Sequence, residues 1–131
     1  MRWIQQMKSF VVYCLSCKDP NITDFYIGKS RDFTRRRRDH FKNCMNTGYT
    51  QQQKLYSFMR ENGGAKNWEF CILQYAYSQD EMDILEEYCI AVTRPTLNRS
   101  NYTYIESIPQ YIIERYPNLL NLLCSSKVIQ V

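Results

Sequence analysis

Two short strand-like runs joined by a turn constrain this chain more than any other feature. Lys8-Ser9-Phe10-Val11-Val12-Tyr13-Cys14-Leu15-Ser16 is rich in β-branched and aromatic residues and reads as a strand. Asp19-Pro20-Asn21 is turn chemistry, because Pro presets φ and Asp or Asn accepts local hydrogen bonds. Phe25-Tyr26-Ile27 is a second short strand, ended by Gly28. A short connection between two strands predicts an antiparallel hairpin. That hairpin puts Tyr13 and Tyr26 on neighbouring strands.

The rest of the chain supplies helices for this hairpin. Ser30 or Asp32 can cap a helix running to about Met45. Phe33, Phe41 and Cys44 or Met45 give it an apolar stripe at helical spacing, and Arg37 lies on the same stripe, where it can bury its stem and lift its guanidinium to the edge. A second helix is expected from Thr50 through Asn62, with Leu55, Phe58 and Met59 inward and Gly63-Gly64 as its stop. Trp68 to Tyr75 reads as a third strand. Ser78 caps a third helix from about Gln79 to Val92, followed by Pro95. Pro109 to Cys124 reads as one or two short helices around Tyr116-Pro117. The order β-β-α-α-β-α predicts an α+β fold: a small three-stranded antiparallel sheet flanked by helices, with a C-terminal helical extension.

Length and composition bound the function classes. The chain has 131 residues, 44% of them hydrophobic, which is room for one packed core. The division expected is a main domain over residues 1–104 and an extension over 105–131 packed on it. The longest apolar runs are too short to cross a bilayer, and Met1 to Met7 has no continuous apolar region of the kind a signal peptide carries. An intracellular protein is expected, with nucleus and cytoplasm both open. Of six cysteines, Cys14, Cys71 and Cys89 fall in apolar stretches and suit buried thiols. Cys14 and Cys17 have the spacing of half a zinc site, but no second CxxC or HxxxH accompanies them. Residues 1–66 carry 13 Lys+Arg against 5 Asp+Glu, a balance of +8, and residues 67–131 carry 4 against 8, a balance of −4. The basic half is a candidate surface for a polyanion.

A few residues carry chemistry. Arg36 and His40 are four apart and share one helix face just after the hairpin. Glu86 borders the apolar side of the third helix, formed by Leu85 and Cys89, and so is expected to be partly buried and aimed at the sheet. A semi-buried acid needs a cation or neutralises, and a metal ion would serve. Taken singly, Tyr13 and Tyr26 read as core aromatics, Arg36 as one of four solvated arginines, His40 as a satisfied lone histidine and Glu86 as a surface acid beside Glu87.

Taken in order, these residues resemble the GIY-YIG endonuclease family. The resemblance runs through Phe10-Val11-Val12-Tyr13, then Phe25-Tyr26-Ile27-Gly28-Lys29-Ser30, then Asp32-Phe33, Arg36 and His40-Phe41. It continues with Lys54-Leu55-Tyr56, Gly63, Trp68-Glu69-Phe70, Leu85-Glu86, Ile90, Pro95, Leu97 and Asn98. Val11 and Val12 stand where the first tripeptide has glycine and isoleucine. The resemblance implies cleavage of DNA with one divalent metal, Mg²⁺ or Mn²⁺, bound by Glu86 as a hard cation on carboxylate oxygen. It implies Tyr13 as the group that deprotonates the attacking water, with His40 or Lys29 assisting, and Tyr26 as an orienting group at the phosphate. Arg36 would stabilise charge on the scissile phosphate. Lys29, Arg35, Arg38, Lys54 and Asn98 fall on the substrate side, Asn98 mainly as support. Activity is expected to rise above neutrality as a base forms.

Two other classes follow from the same residues. One is a catalytically silent nucleic-acid-binding module of the same fold. The other is a protein-interaction domain that docks a partner through residues 105–131. The Arg35-Arg36-Arg37-Arg38 run also resembles a nuclear import signal, but a helix that lines the site in this family favours phosphate binding.

Overall fold

A computed structural model of the chain describes residues 9–98 and 105–125. Strand β1 (Phe10–Cys17) and strand β2 (Phe25–Ser30) form the expected hairpin, followed by α1 (Phe33–Met45) and α2 (Gln53–Glu61). A short 3-10 turn (Ala65–Asn67) leads into β3 (Trp68–Ala76), then α3 (Gln79–Thr93), a second 3-10 turn (Ile105–Ser107), α4 (Gln110–Arg115) and α5 (Leu119–Ser125). The sheet is antiparallel with order β2-β1-β3, so the fold is α+β with a three-stranded sheet between helices.

The central strand explains the layering. Side chains alternate across a strand, and β1 is apolar in both directions, as a strand covered on both faces must be. Val11, Tyr13, Leu15 and Cys17 point into one apolar cluster, with Leu55, Tyr56 and Met59 of α2 and Cys44 of α1. Val12 and Cys14 point into the other, with Met82, Leu85 and Cys89 of α3. Val11 and Val12 are fully buried, one in each cluster, so both fit where the tripeptide departs from its pattern. Ile112, Leu119 and Leu123 of the two last helices, with Tyr116 between them, belong to the α3 cluster, so this apolar face packs on the sheet and α3. Burying each such aliphatic side chain contributes roughly 1.5–3 kcal/mol.

Local chemistry sets the element ends. Asp19 Oδ1 accepts from the Asn21 amide at 2.9 Å, which closes the hairpin turn. Of the two candidate caps of α1, Asp32 is the one used, its Oδ1 accepting from Arg35 N at 3.2 Å, while Ser30 Oγ accepts from Asp32 N at 2.9 Å just before the helix. Ser78 Oγ caps α3 by accepting from Glu81 N at 3.2 Å.

Several expectations need correction. Helix α2 begins at Gln53 rather than Thr50, because Gln52 is left-handed (φ 54°, ψ 38°) and cannot continue a helix backwards. Cys44, not Met45, completes the α1 stripe; Met45 is exposed. Arg37 is exposed and lays its guanidinium over the Phe41 ring at 5.4 Å, holding to solvent by a cation–π contact. Cys71 is exposed rather than buried: it lies on edge strand β3, whereas its cross-strand partner Cys14 is buried on the central strand. Among the described residues no helix is long and apolar enough to cross a membrane.

Candidate active site

Gly28 makes the site possible. It pairs directly with Tyr13 across the hairpin, and the Tyr13 phenol lies against its Cα. A side chain at that position would collide with the Tyr13 ring and meet the Tyr26 ring at 2.9 Å. Only glycine permits this approach. Tyr13 then stacks on Phe70 of β3, with ring centroids 4.3 Å apart, and sits 6.3 Å from the Tyr26 ring. Asn98 fixes the strand from outside: its Oδ1 accepts from Ile27 N at 2.9 Å and its Nδ2 donates to Ile27 O at 2.8 Å. Both functions of that amide are committed to the backbone between Tyr26 and Gly28. Asn98 thus ties the loop after α3 to β2 beside the site.

Helix α1 brings its polar face to the Tyr13 hydroxyl. His40, fully buried, places Nε2 2.7 Å from Tyr13 Oη. Arg36, one turn earlier, donates from Nε to the same oxygen at 3.3 Å. The other ring nitrogen of His40, Nδ1, lies 2.8 Å from Tyr56 Oη on α2. A row results: Arg36, Tyr13, His40, Tyr56.

Protonation states follow from burial. Desolvation, reinforced by the Arg36 charge, pushes His40 down to about 3. His40 is therefore neutral near pH 7, with one ring nitrogen donating and the other accepting. One of its two phenol partners must donate and the other accept. Burial, helped by Tyr26, raises Tyr13 far above the ordinary phenol value, and Arg36 offsets only part of this. Tyr26 is raised by burial against the opposing pull of Arg36, and burial pushes Tyr56 up to about 12. The phenols stay protonated at neutral pH.

Glu86 reaches the same region from the opposite helix layer. Its side chain is 20% exposed, and Lys29 of β2 lies 3.6 Å from its Oε1. Burial raises Glu86, and the Lys29 charge pulls it back. Its field also reaches Tyr26. Glu87, the next residue, faces solvent. No group of three or more His, Cys, Asp or Glu is clustered among the described residues. A single half-buried carboxylate suits Mg²⁺ or Mn²⁺, which keep waters and need only one or two protein carboxylates. It does not suit a structural zinc, which takes four nitrogen or sulfur ligands.

The remaining sequence candidates divide. Arg35 is exposed and pairs with Asp39, Nε to Oδ2 3.7 Å, and Arg38 is exposed. Ser30, Arg31, Asp32, Arg35, Arg36 and Asp39 line an open cleft of about 300 Å³ beside the site. Lys54 sits at the periphery, donating to Asn98 O at 3.4 Å. Thus Tyr13, Tyr26, Arg36 and His40 come together with Glu86 and Lys29 at the β2 edge, while Arg35, Arg38 and Lys54 lie outside. Tyr56 was missed as a site residue. It lies three before inward Met59 and so shares its helix face, which was the available signal.

A model of the family described as the GIY-YIG catalytic domain matches residues 9–101. No curated protein and no solved structure matches the chain.

Proposed function

The chain belongs to the GIY-YIG catalytic-domain family, whose members are nucleases acting on DNA, and from that premise we propose that it is an active, divalent-metal-dependent endonuclease. The observation that carries the reading is Tyr13 Oη, held between Arg36 Nε and His40 Nε2 at 3.3 and 2.7 Å. A binding module has no need of a buried phenol so placed.

The chain's own groups supply most of the chemistry. A water molecule attacks phosphorus, forming a P–O bond as the bond to the leaving oxygen breaks. Tyr13 Oη accepts a hydrogen bond from that water while its own hydroxyl donates to neutral His40 Nε2, so the row aims the water at phosphorus, and the proton the water loses ends on the leaving oxygen. Phenol and imidazole both stay neutral, as burial favours. The row requires the tautomer in which His40 Nδ1–H donates to Tyr56, so Tyr56 sets which nitrogen is the acceptor. Arg36 faces both Tyr13 and the open cleft, and stabilises the charge that develops on the phosphate. Tyr26 orients the phosphate beside Arg36. Glu86 would hold Mg²⁺ or Mn²⁺, which supplies Lewis-acid stabilisation of phosphoryl oxygen. Arg35, Arg38 and Lys54 contribute sequence-independent attraction for the DNA backbone. Residues 1–104 are the nuclease domain in this reading, and residues 105–131 an extension that stabilises it.

The test is incubation with plasmid, branched and single-stranded DNA in Mg²⁺, Mn²⁺ or EDTA. Cleavage is expected with either metal and none in EDTA. Metal-independent cleavage, or retained DNA binding with no cleavage under any condition, would contradict the proposal.

A further inference from the structure

Lys29 serves two acids unequally. Its ammonium lies 2.8 Å from Asp83 Oδ1 and 3.6 Å from Glu86 Oε1. Asp83 and Glu86 are three apart on α3 and so share a face. The other acids of this helix are placed elsewhere. Asp80 and Glu81 stand in its first turn, Glu81 also accepts from Tyr116 and pairs with Arg115, and Glu87 is exposed. Among the described residues, Asp83 and Glu86 are the acids that pair with Lys29.

The inequality has a consequence for any cation that Glu86 must bind. An ammonium in full contact with Glu86 would compete for the same carboxylate oxygens. Glu86 is the more buried of the two acids, at 20% side-chain exposure against 43% for Asp83. Less hydrated, it would gain more from a cation and would take Lys29 unless something held it back. The shorter bond to Asp83 draws the ammonium away. We infer that Asp83 is a positioning residue, holding Lys29 off Glu86 so that the Glu86 carboxylate stays open to the divalent ion. The inference rests on the reading of Glu86 as the metal ligand.

Metal binding without DNA isolates this effect from catalysis. Mg²⁺ is titrated into the wild-type chain and into Asp83→Asn, Lys29→Ala, the double variant and Glu86→Gln, following amide shifts in α3 by NMR. Asp83 and Lys29 are both substantially exposed, so these variants are expected to fold. Asp83→Asn should weaken Mg²⁺ roughly fivefold, the scale of one exposed ion pair. Lys29→Ala should bind at least as tightly as wild type. In the Lys29→Ala background the Asp83→Asn loss should largely vanish, because the two residues act through each other. Wild-type affinity in Asp83→Asn would overturn the inference, as would an equal loss in both backgrounds, which would make Asp83 a direct ligand. A wild-type response that survives Glu86→Gln, or no response at all, would instead overturn the reading of Glu86, and this inference with it.

Discussion

The two faces of the sheet are built from the same central strand to opposite ends. Toward α3, α4 and α5, β1 sends Val12 and Cys14 into a packing of Leu85, Cys89, Ile112, Leu119 and Leu123. Toward α1 and α2 it sends Tyr13 into a polar row with Arg36, His40 and Tyr56. The first face is ordinary burial. The second buries a histidine and three phenols, which costs free energy unless every polar atom is paired. Among the described residues no buried side-chain nitrogen or oxygen lacks a partner. The contrast teaches that both faces hold the fold, while the second also buries a polar row that, in the proposed reading, serves chemistry. Glu86 is the exception that joins them, reaching round the β2 edge from the apolar layer.

The largest expected effect breaks that junction. Glu86→Gln should reduce cleavage by at least about 10³-fold, given that one lost electrostatic partner of the transition state costs roughly 10²–10³ and the metal is lost as well. DNA binding should remain, and Glu87→Gln should change little. A lethal Glu87 change with an active Glu86→Gln would place the ligand one residue along the helix.

The apolar face should respond in stability rather than rate. Ile112→Ala removes a fully buried side chain and should cost about 2–5 kcal/mol of unfolding free energy, read by denaturant melts. Turnover per folded molecule should be unchanged. A specific loss of turnover would tie the last helices to the site.

Arg36 and its neighbours sharpen the boundary of the polar face. Arg36→Ala should slow single-turnover cleavage roughly 10²–10³-fold, about 3–4 kcal/mol. Arg35→Ala and Arg38→Ala should recover at saturating enzyme, each losing about one unit of salt slope in binding if it neutralises a phosphate. Equal rates for all three would reduce the run to an electrostatic patch, and the silent-module reading would then lead.

A further effect is in pH, and it is read in stability. The folded pKa of His40, about 3, lies below its unfolded value near 6.5, so the unfolded state binds the extra proton first. Stability from this group is complete above pH 6.5 and falls as pH drops towards 3, by up to about 1.4 kcal/mol per pH unit. His40→Asn should flatten that acid slope in thermal melts between pH 4 and 6.5.

Much of this was legible from local sequence. The turn at Asp19, the caps at Asp32 and Ser78, and the four-residue spacing of Arg36 and His40 are all short-range signals, and the structure uses them. The ordered match from Phe10 to Asn98 pointed to Glu86, and Glu86 is the partly buried member of the Glu86–Glu87 pair. What was not legible depends on contacts distant in sequence. Tyr56 meets His40 only because α2 folds back on α1. Cys71 is exposed on β3 although Leu73, two residues along the same edge strand, is buried. Asn98 supports β2 through a loop 71 residues away, and Asp83 divides Lys29 with Glu86 across the β2 edge. The raised phenols could not be read either, since local sequence does not say how dry a hydroxyl will be.

Single-turnover cleavage by Tyr13→Phe, in Mg²⁺ at saturating enzyme and beside a thermal melt, tests the claim that the polar face exists for catalysis. This variant keeps the ring on Phe70 and Gly28 and removes one hydroxyl. A folded protein cleaving about 10²–10³-fold more slowly is expected, the scale of one lost preorganised hydrogen-bonding group. A folded Tyr13→Phe variant cleaving at the wild-type rate would contradict it.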